Sequence, residues 1–352
     1  MAPRLRRSDC SGPGLRRSKR GRGFIYHDDR GNRISDPEVL TRISDLAIPP
    51  AWQEVWVCSD PWGHLQATGI DAAGRKQYLY HVRWRERRDR EKFQRMVRFA
   101  RLLPRLRRKL GAELTDPEAT RQRVLAGAVR LLDVGLFRVG SEEYAEEDHG
   151  VGLATVRRDH VSIQGESVIF DYPAKGGIRR IHVISDPLTH DLLRTLKRGR
   201  TGLDELLAYR ENGRWHPLRA EDINLYLKER IGEEFSAKDF RTWNATVLAS
   251  VSLAIDGREA KSKTARKRAI NGAVRGVAEM LGNTAAVARR SYIDPRVFDR
   301  YLSGWTIAGV LKRERDLDPV NDRGRARLER AVIDLIEDEE DSPALERVAE
   351  PT

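Results

Sequence analysis

The stretch LGNTAAVARRSYIDP, Leu281 to Pro295, sets an asparagine and, nine residues on, a tyrosine into a helix-like text. Gly282 reads as the stop of the preceding AEML helix and Asn283 as a residue near the start of the next. An asparagine there is a helix cap in its bland reading. A tyrosine between RRS and IDP is either packing or a nucleophile, and the rest of the chain has to decide.

The chain of 352 residues is long enough for two or more domains, and its hydrophobic fraction of 39% is adequate for a core. No run of 18 apolar residues occurs, so no membrane span is expected. A formal charge of +12 points to a polyanionic partner. The only cysteines, Cys10 and Cys58, exclude a disulfide scaffold and suit a reducing, cytoplasmic setting. The opening text, MAPRLRRSDCSGPGLRRSKRGRG, lacks the apolar core of a secretory signal and reads as a basic flexible arm over residues 1–22.

Residues 23–88 read as a β-rich domain. GFIYHDDRGNRI has a strand followed by a turn, and the text from Val55 to Trp84 repeats the pattern with breakers at DPWG and DAAG. The period then shifts from two to about 3.6 in RERRDREKFQRMVRFARLLPRLRRKLGAEL, which Pro104 is expected to interrupt or bend. Val124, Ala128, Leu131 and Leu132 form a helical stripe, and GVGLATVRRDHVSIQGESVIFDYPAKGGIRRIHVI alternates as three short strands. The expected fold class is α+β: the small β-rich domain, then a larger, mainly helical domain over 89–330 carrying a small sheet. An acidic tail is expected over 331–352.

No GxxxxGK[ST] loop asks for ATP, no HExxH motif appears, and the eight histidines lack ligand spacing, so neither cofactor nor metal site is expected. SEEYAEEDHG is the one acidic loop with any claim to a divalent ion, and a solvated loop is its plainer reading. If a phosphodiester is handled without a metal, arginine forks have to stabilise the charge and a protein nucleophile has to divide the reaction in two. Arg138 in LFRVGSEEY, Lys175 in FDYPAKGG and Arg241 in KDFRTW are candidates. Lys238 and Arg241 share a helix face, with Phe240 and Trp243 packing behind them. Singly, each is more simply a surface or core residue.

Together and in this order, FRVGSEEY, VGLATV, FDYPAKGG, KDFRTW and LGNTAAVARRSYIDP, with GRKQYLYHVRW in the small domain, resemble the type IB DNA topoisomerases. The likeness is to the compact bacterial branch that looks like the poxvirus enzyme, and it covers roughly Gly23 to Asp299. It implies a catalytic domain related to those of tyrosine recombinases, double-stranded DNA as partner, a monomer closing as a clamp, no obligate protein partner and a nucleoid location. It further implies Tyr292 as nucleophile, Arg138 and Arg241 as transition-state arginines and Lys175 as the acid for the leaving oxygen. Asn283 falls where many relatives hold histidine. An amide N–H can donate to a phosphate oxygen but cannot relay a proton at neutral pH. Gln77, Tyr78, Tyr80, Tyr144 and Lys238 are the implied DNA contacts. The rival readings are a site-specific tyrosine recombinase, against which KDFR stands in place of HxxR, and a non-catalytic DNA-compacting protein.

Overall fold

The computed structural model describes residues 3–140, 150–313 and 321–348. The chain divides into two compact units, Met1–Gln94 and Arg95–Thr352.

In the first unit an antiparallel sheet has the order β2-β1-β3-β4-β5, with β1 at Leu15–Arg20, β2 at Gly23–His27, β3 at Gln53–Val57, β4 at Leu65–Ile70 and β5 at Lys76–Tyr80. Alternation builds it, with Leu15, Val55, Val57 and Ala67 meeting Ile43 of helix α1 (Pro37–Asp45) in one apolar cluster. Trp56, Cys58 and Leu65 form a second cluster. The expected flexible arm over 1–22 is corrected here. Leu15–Arg20 is a strand between two others, pairing Arg16 with both His27 and Trp56. Ahead of it the Arg6 N–H donates to Trp62 O at 2.9 Å, the Ser8 N–H to His64 Nδ1 at 2.9 Å, and Cys10 packs on the second cluster. The density of arginine and lysine hid a strand with a single buried anchor, Leu15, and long exposed stems.

Helix α2 spans Val82–Leu114, so the division into units falls inside it. Pro104 neither interrupts nor ends it. Met96, Val97, Leu103, Leu106 and Leu110 are all buried, and that apolar stripe offsets the backbone hydrogen bond proline cannot make. Helix α3 (Arg121–Gly135) is buried on nearly every side, well beyond the expected stripe, as suits the centre of the larger unit. Strands β6 (Val161–Gln164), β7 (Ser167–Ala174) and β8 (Ile178–Ile184) form the expected small antiparallel sheet. After α4 (Pro187–Arg198) comes a hairpin, β9 (Ala208–Glu211) and β10 (Arg214–Pro217), around an Asn-Gly turn that the sequence reading passed over. Helices α5 (Ala220–Ile231), α6 (Ala237–Ile255), α7 (Lys263–Leu281), α8 (Ala285–Ser291) and α9 (Pro295–Leu302) follow.

Strand β11 (Trp305–Thr306), helix α10 (Ala308–Arg313), helix α11 (Asp322–Ile336) and strand β12 (Glu346–Arg347) complete the unit. The acidic tail expected from 331 is therefore also corrected: Ala331, Val332, Ile333, Leu335 and Ile336 are buried, and β12 pairs with β11. The run EDEED at 337–341 is a loop between two packed pieces, and its charge masked their packing. Among the described residues no helix is long and apolar enough to cross a membrane.

Arg107 of α2 ties the C-terminal helix in. It donates to Asp133 of α3 at 2.8 and 2.9 Å and to Glu329 of α11 at 2.7 Å twice, with all three side chains buried. Arg325 adds a donor to Asp133 at 2.9 Å. Burial pushes the Asp133 carboxyl up, but Arg107 and Arg325 more than offset that and hold it well below the usual range. Its contribution to stability is thus present at neutral pH and is lost only as the pH falls below the ordinary carboxylate range toward the folded-state value. Arg107→Ala strands buried carboxylates and should cost about 3–5 kcal/mol. A urea midpoint unchanged from wild type would contradict this.

Candidate active site

Helix α3 stops at Gly135, with Leu136 left-handed at φ 57°. The chain then runs straight to Arg138. Residues 150–154 lie against this run, with the Leu153 N–H donating to Arg138 O at 2.8 Å and the Ala154 N–H to Val139 O at 2.7 Å. On its other side the same segment meets the Lys175 turn, where the Val151 N–H donates to Pro173 O at 2.9 Å. VGLATV is thus the spacer between Arg138 and Lys175. It has to be thin: a Cβ on Gly150 would lie 2.8 Å from Lys175 Cα, and one on Gly152 2.3 Å from Gly140 Cα.

Arg241 lies on α6, 4% exposed, with Phe240 and Trp243 buried behind it as the helical spacing predicts. Its guanidinium donates to Leu136 O, to Leu281 O at 2.8 Å and to Asn283 Oδ1 at 3.0 Å. Arg138 donates to Gly282 O at 3.0 Å and to the same Asn283 Oδ1 at 3.3 Å. The cap reading of Asn283 is corrected by one residue: Thr284 caps α8, accepting from the Val287 N–H, while the asparagine amide oxygen bridges two arginines. Gly282 does end α7, at φ 61°.

Tyr292 follows α8 directly and is half-buried, its ring 5.4 Å from Arg241 Cζ. Ile293 and Asp294 beyond it are 0% and 1% exposed and fix its backbone. The Thr246 hydroxyl accepts from the Asp294 N–H at 3.1 Å and lies 3.3 Å from Tyr292 O. Sequence reading missed Thr246, whose one signal is its place in RTWNAT on the helix of Arg241. A cavity of about 520 Å³ is lined by Arg138, Lys175, Lys238, Arg241 and Tyr292 together with Gly150 and Gly152.

Four of the five chemical positions therefore line one cavity, and the fifth, Asn283, holds two of them from behind. Among the described residues neither Arg138 nor Arg241 has a carboxylate partner. Burial and the charge of Arg138 both push Arg241 down from the usual arginine value, and its buried Nε has no hydrogen-bond partner. Two crowded cations lining a cavity suit an anion with several oxygens.

In the first unit Tyr78 and Tyr80 are 45% and 37% exposed and stack at 6.2 Å with 17° between planes, Lys76 Nζ lying 5.9 Å from the Tyr78 ring. Gln77 alternates to the opposite face, where its amide donates to Asp71 Oδ2 at 2.8 Å. The strand thus separates Gln77 from the two tyrosines. Tyr144 and the acidic loop SEEYAEEDHG, apart from its last residue, lie outside the described residues.

A site of this kind has the shape and charge to suit a phosphate-like anion beside a phenolic hydroxyl. The chain matches the family model of the eukaryotic DNA topoisomerase I catalytic core over residues 81–303, and that of the bacterial DNA topoisomerase IB N-terminal domain over residues 23–71. It is 31% identical over 285 residues to DNA topoisomerase 1B of Acanthamoeba polyphaga mimivirus, covering 80% of this chain and 85% of that one. Over 294 residues it is 20% identical to DNA topoisomerase 1B of vaccinia virus (strain Copenhagen), covering 79% and 89%. DNA topoisomerase 1 of Schizosaccharomyces pombe is 30% identical over 138 residues, 39% of this chain and 16% of the relative. The chain belongs to the type IB DNA topoisomerases, with an N-terminal unit of the bacterial kind.

Proposed function

We propose that this enzyme relaxes positive and negative supercoils by cutting one strand of duplex DNA through a 3′-phosphotyrosyl intermediate on Tyr292 and then rejoining it. The observation that carries this is the convergence of Tyr292, Arg138, Arg241 and Lys175 on one cavity. The Tyr292 hydroxyl attacks the phosphorus and loses its proton to water, the 5′ oxygen leaves with a proton from Lys175, and both transfers reverse on return. Arg138 and Arg241 meet the charge that builds on the nonbridging oxygens. Asn283, with its oxygen occupied by both arginines, orients them and has its N–H groups for the phosphate. The phosphotyrosyl bond conserves the energy of the broken link, so rejoining calls for neither ATP nor a required metal.

The two units close as a clamp of one chain around the duplex, Tyr78, Tyr80 and Lys238 touching DNA and Gln77 joining them once released from Asp71. Tyr144 belongs to the same set of contacts. The helical unit shares its descent with tyrosine recombinase catalytic domains, and the enzyme works at the nucleoid. Negatively supercoiled plasmid incubated with the enzyme in EDTA, without ATP, should relax fully, and so should positively supercoiled plasmid. Binding without relaxation would overturn the reading in favour of synaptic strand exchange or architectural binding.

A further inference from the structure

We infer that Arg180 is a positioning residue that ties the turn carrying Lys175 to the end of helix α7. The inference rests on the reading of Lys175 as the acid for the leaving oxygen. A helix leaves its last carbonyls without intrahelical donors and gathers partial negative charge there. At α7 these carbonyls take arginines in succession: Glu279 O and Met280 O from Arg180, Leu281 O from Arg241 and Gly282 O from Arg138. Two of the three guanidiniums belong to the proposed catalytic set. The third, Arg180, has been given no role.

Arg180 stands on β8, five residues beyond Lys175, opposite Tyr172 of β7. It donates to Glu279 O at 2.8 Å, and a Cβ on Gly282 would fall 3.0 Å from its Cζ, so the guanidinium fills the space against the helix end. The turn itself has little intrinsic stiffness: Gly176 and Gly177 follow Lys175 at φ 76° and 70°. On the outer face of β8 Arg179 pairs with Asp171 of β7, which closes the hairpin on itself but gives no tie to helix α7, and Ile181 and Val183 are 57% and 61% exposed. Arg138 and Arg241 still hold the helix end when Arg180 is removed. The lysine turn then depends on its contact with residues 150 and 151, and the defect falls on protonation of the leaving oxygen.

A duplex with sulfur in the 5′ bridging position separates this step from the others, because a thiolate leaves without a proton. In single-turnover cleavage Arg180→Met should slow the oxygen ester roughly 10- to 100-fold, the order expected of an ångström-scale misplacement, and leave the sulfur ester near wild type. Arg180→Lys should recover part of the oxygen rate. Equal loss on both esters, or no loss on the oxygen ester, overturns the inference. Should Arg180→Met fail to fold, Arg180→Gln carries the same comparison. Lys175→Ala tells the two readings apart: if sulfur does not restore its cleavage, the role given to Lys175 fails, whereas restoration there without restoration in the Arg180 variants sinks the positioning role alone.

Discussion

Tyr292→Phe is expected to bind duplex DNA as the wild type does and to form no covalent adduct, a loss of roughly 10⁴-fold or more if other enzymes stripped of their nucleophile are a guide. The change removes one oxygen and little else. The ring keeps its place 5.4 Å from Arg241 Cζ, and the buried Ile293 and Asp294 hold the backbone that follows it. Thr246, which steadies the carbonyl of residue 292, is untouched. The measurement is denaturing-gel detection of protein-linked, end-labelled strand in a single turnover, with filter binding alongside. Adduct formed by the phenylalanine variant would place the nucleophile on another residue.

Arg241→Ala should lower the cleavage rate by about 10²- to 10³-fold, the range seen when one donor to a developing oxyanion is deleted. Rate and stability both respond here, for separable reasons. Arg241 lines the cavity beside Arg138, and loss of its charge and donors there acts on the transition state. Its N–H groups also hold Leu136 O, Leu281 O and Asn283 Oδ1, and leaving those acceptors buried without a donor should cost about 1–3 kcal/mol of folding stability. Arg241→Lys keeps the charge but cannot reach three acceptors in a plane, so it should also be slow. Cleavage by either variant within a few-fold of wild type, measured under conditions where both are folded, would remove Arg241 from the chemistry.

Much of the helical unit was legible because its helices carry both periodicity and stops. Gly282 announced the end of α7, and the spacing of Phe240 and Trp243 behind Arg241 followed from 3.6 residues per turn. Alternation likewise put Tyr78 and Tyr80 on one face, and the same rule, followed one residue further, sends Gln77 to the other. Charge misled at both ends. Arginine-rich text hid β1, and EDEED hid the docking of α11 and the strand β12, because composition averages over the few buried positions that decide whether a segment docks. The part of the site that was not legible is three-dimensional: residues 150–154 as a spacer, Thr246 beneath Tyr292 and Asn283 between two arginines are contacts across long sequence separations, and no local spacing encodes them.

The end of helix α7 has an implication for how this sequence can change over time. Its arginine partners grip backbone oxygens of Glu279, Met280 and Leu281, and a carbonyl is present whatever the side chain. Glu279 and Met280, both exposed, are therefore free to drift through most of the amino-acid alphabet without disturbing the grip. The freedom narrows at Gly282, where the backbone is left-handed at φ 61° and an added Cβ would lie 3.0 Å from Arg180 Cζ, so a side chain there strains the backbone and displaces the guanidinium. Permissive and constrained positions thus lie two residues apart at one helix end.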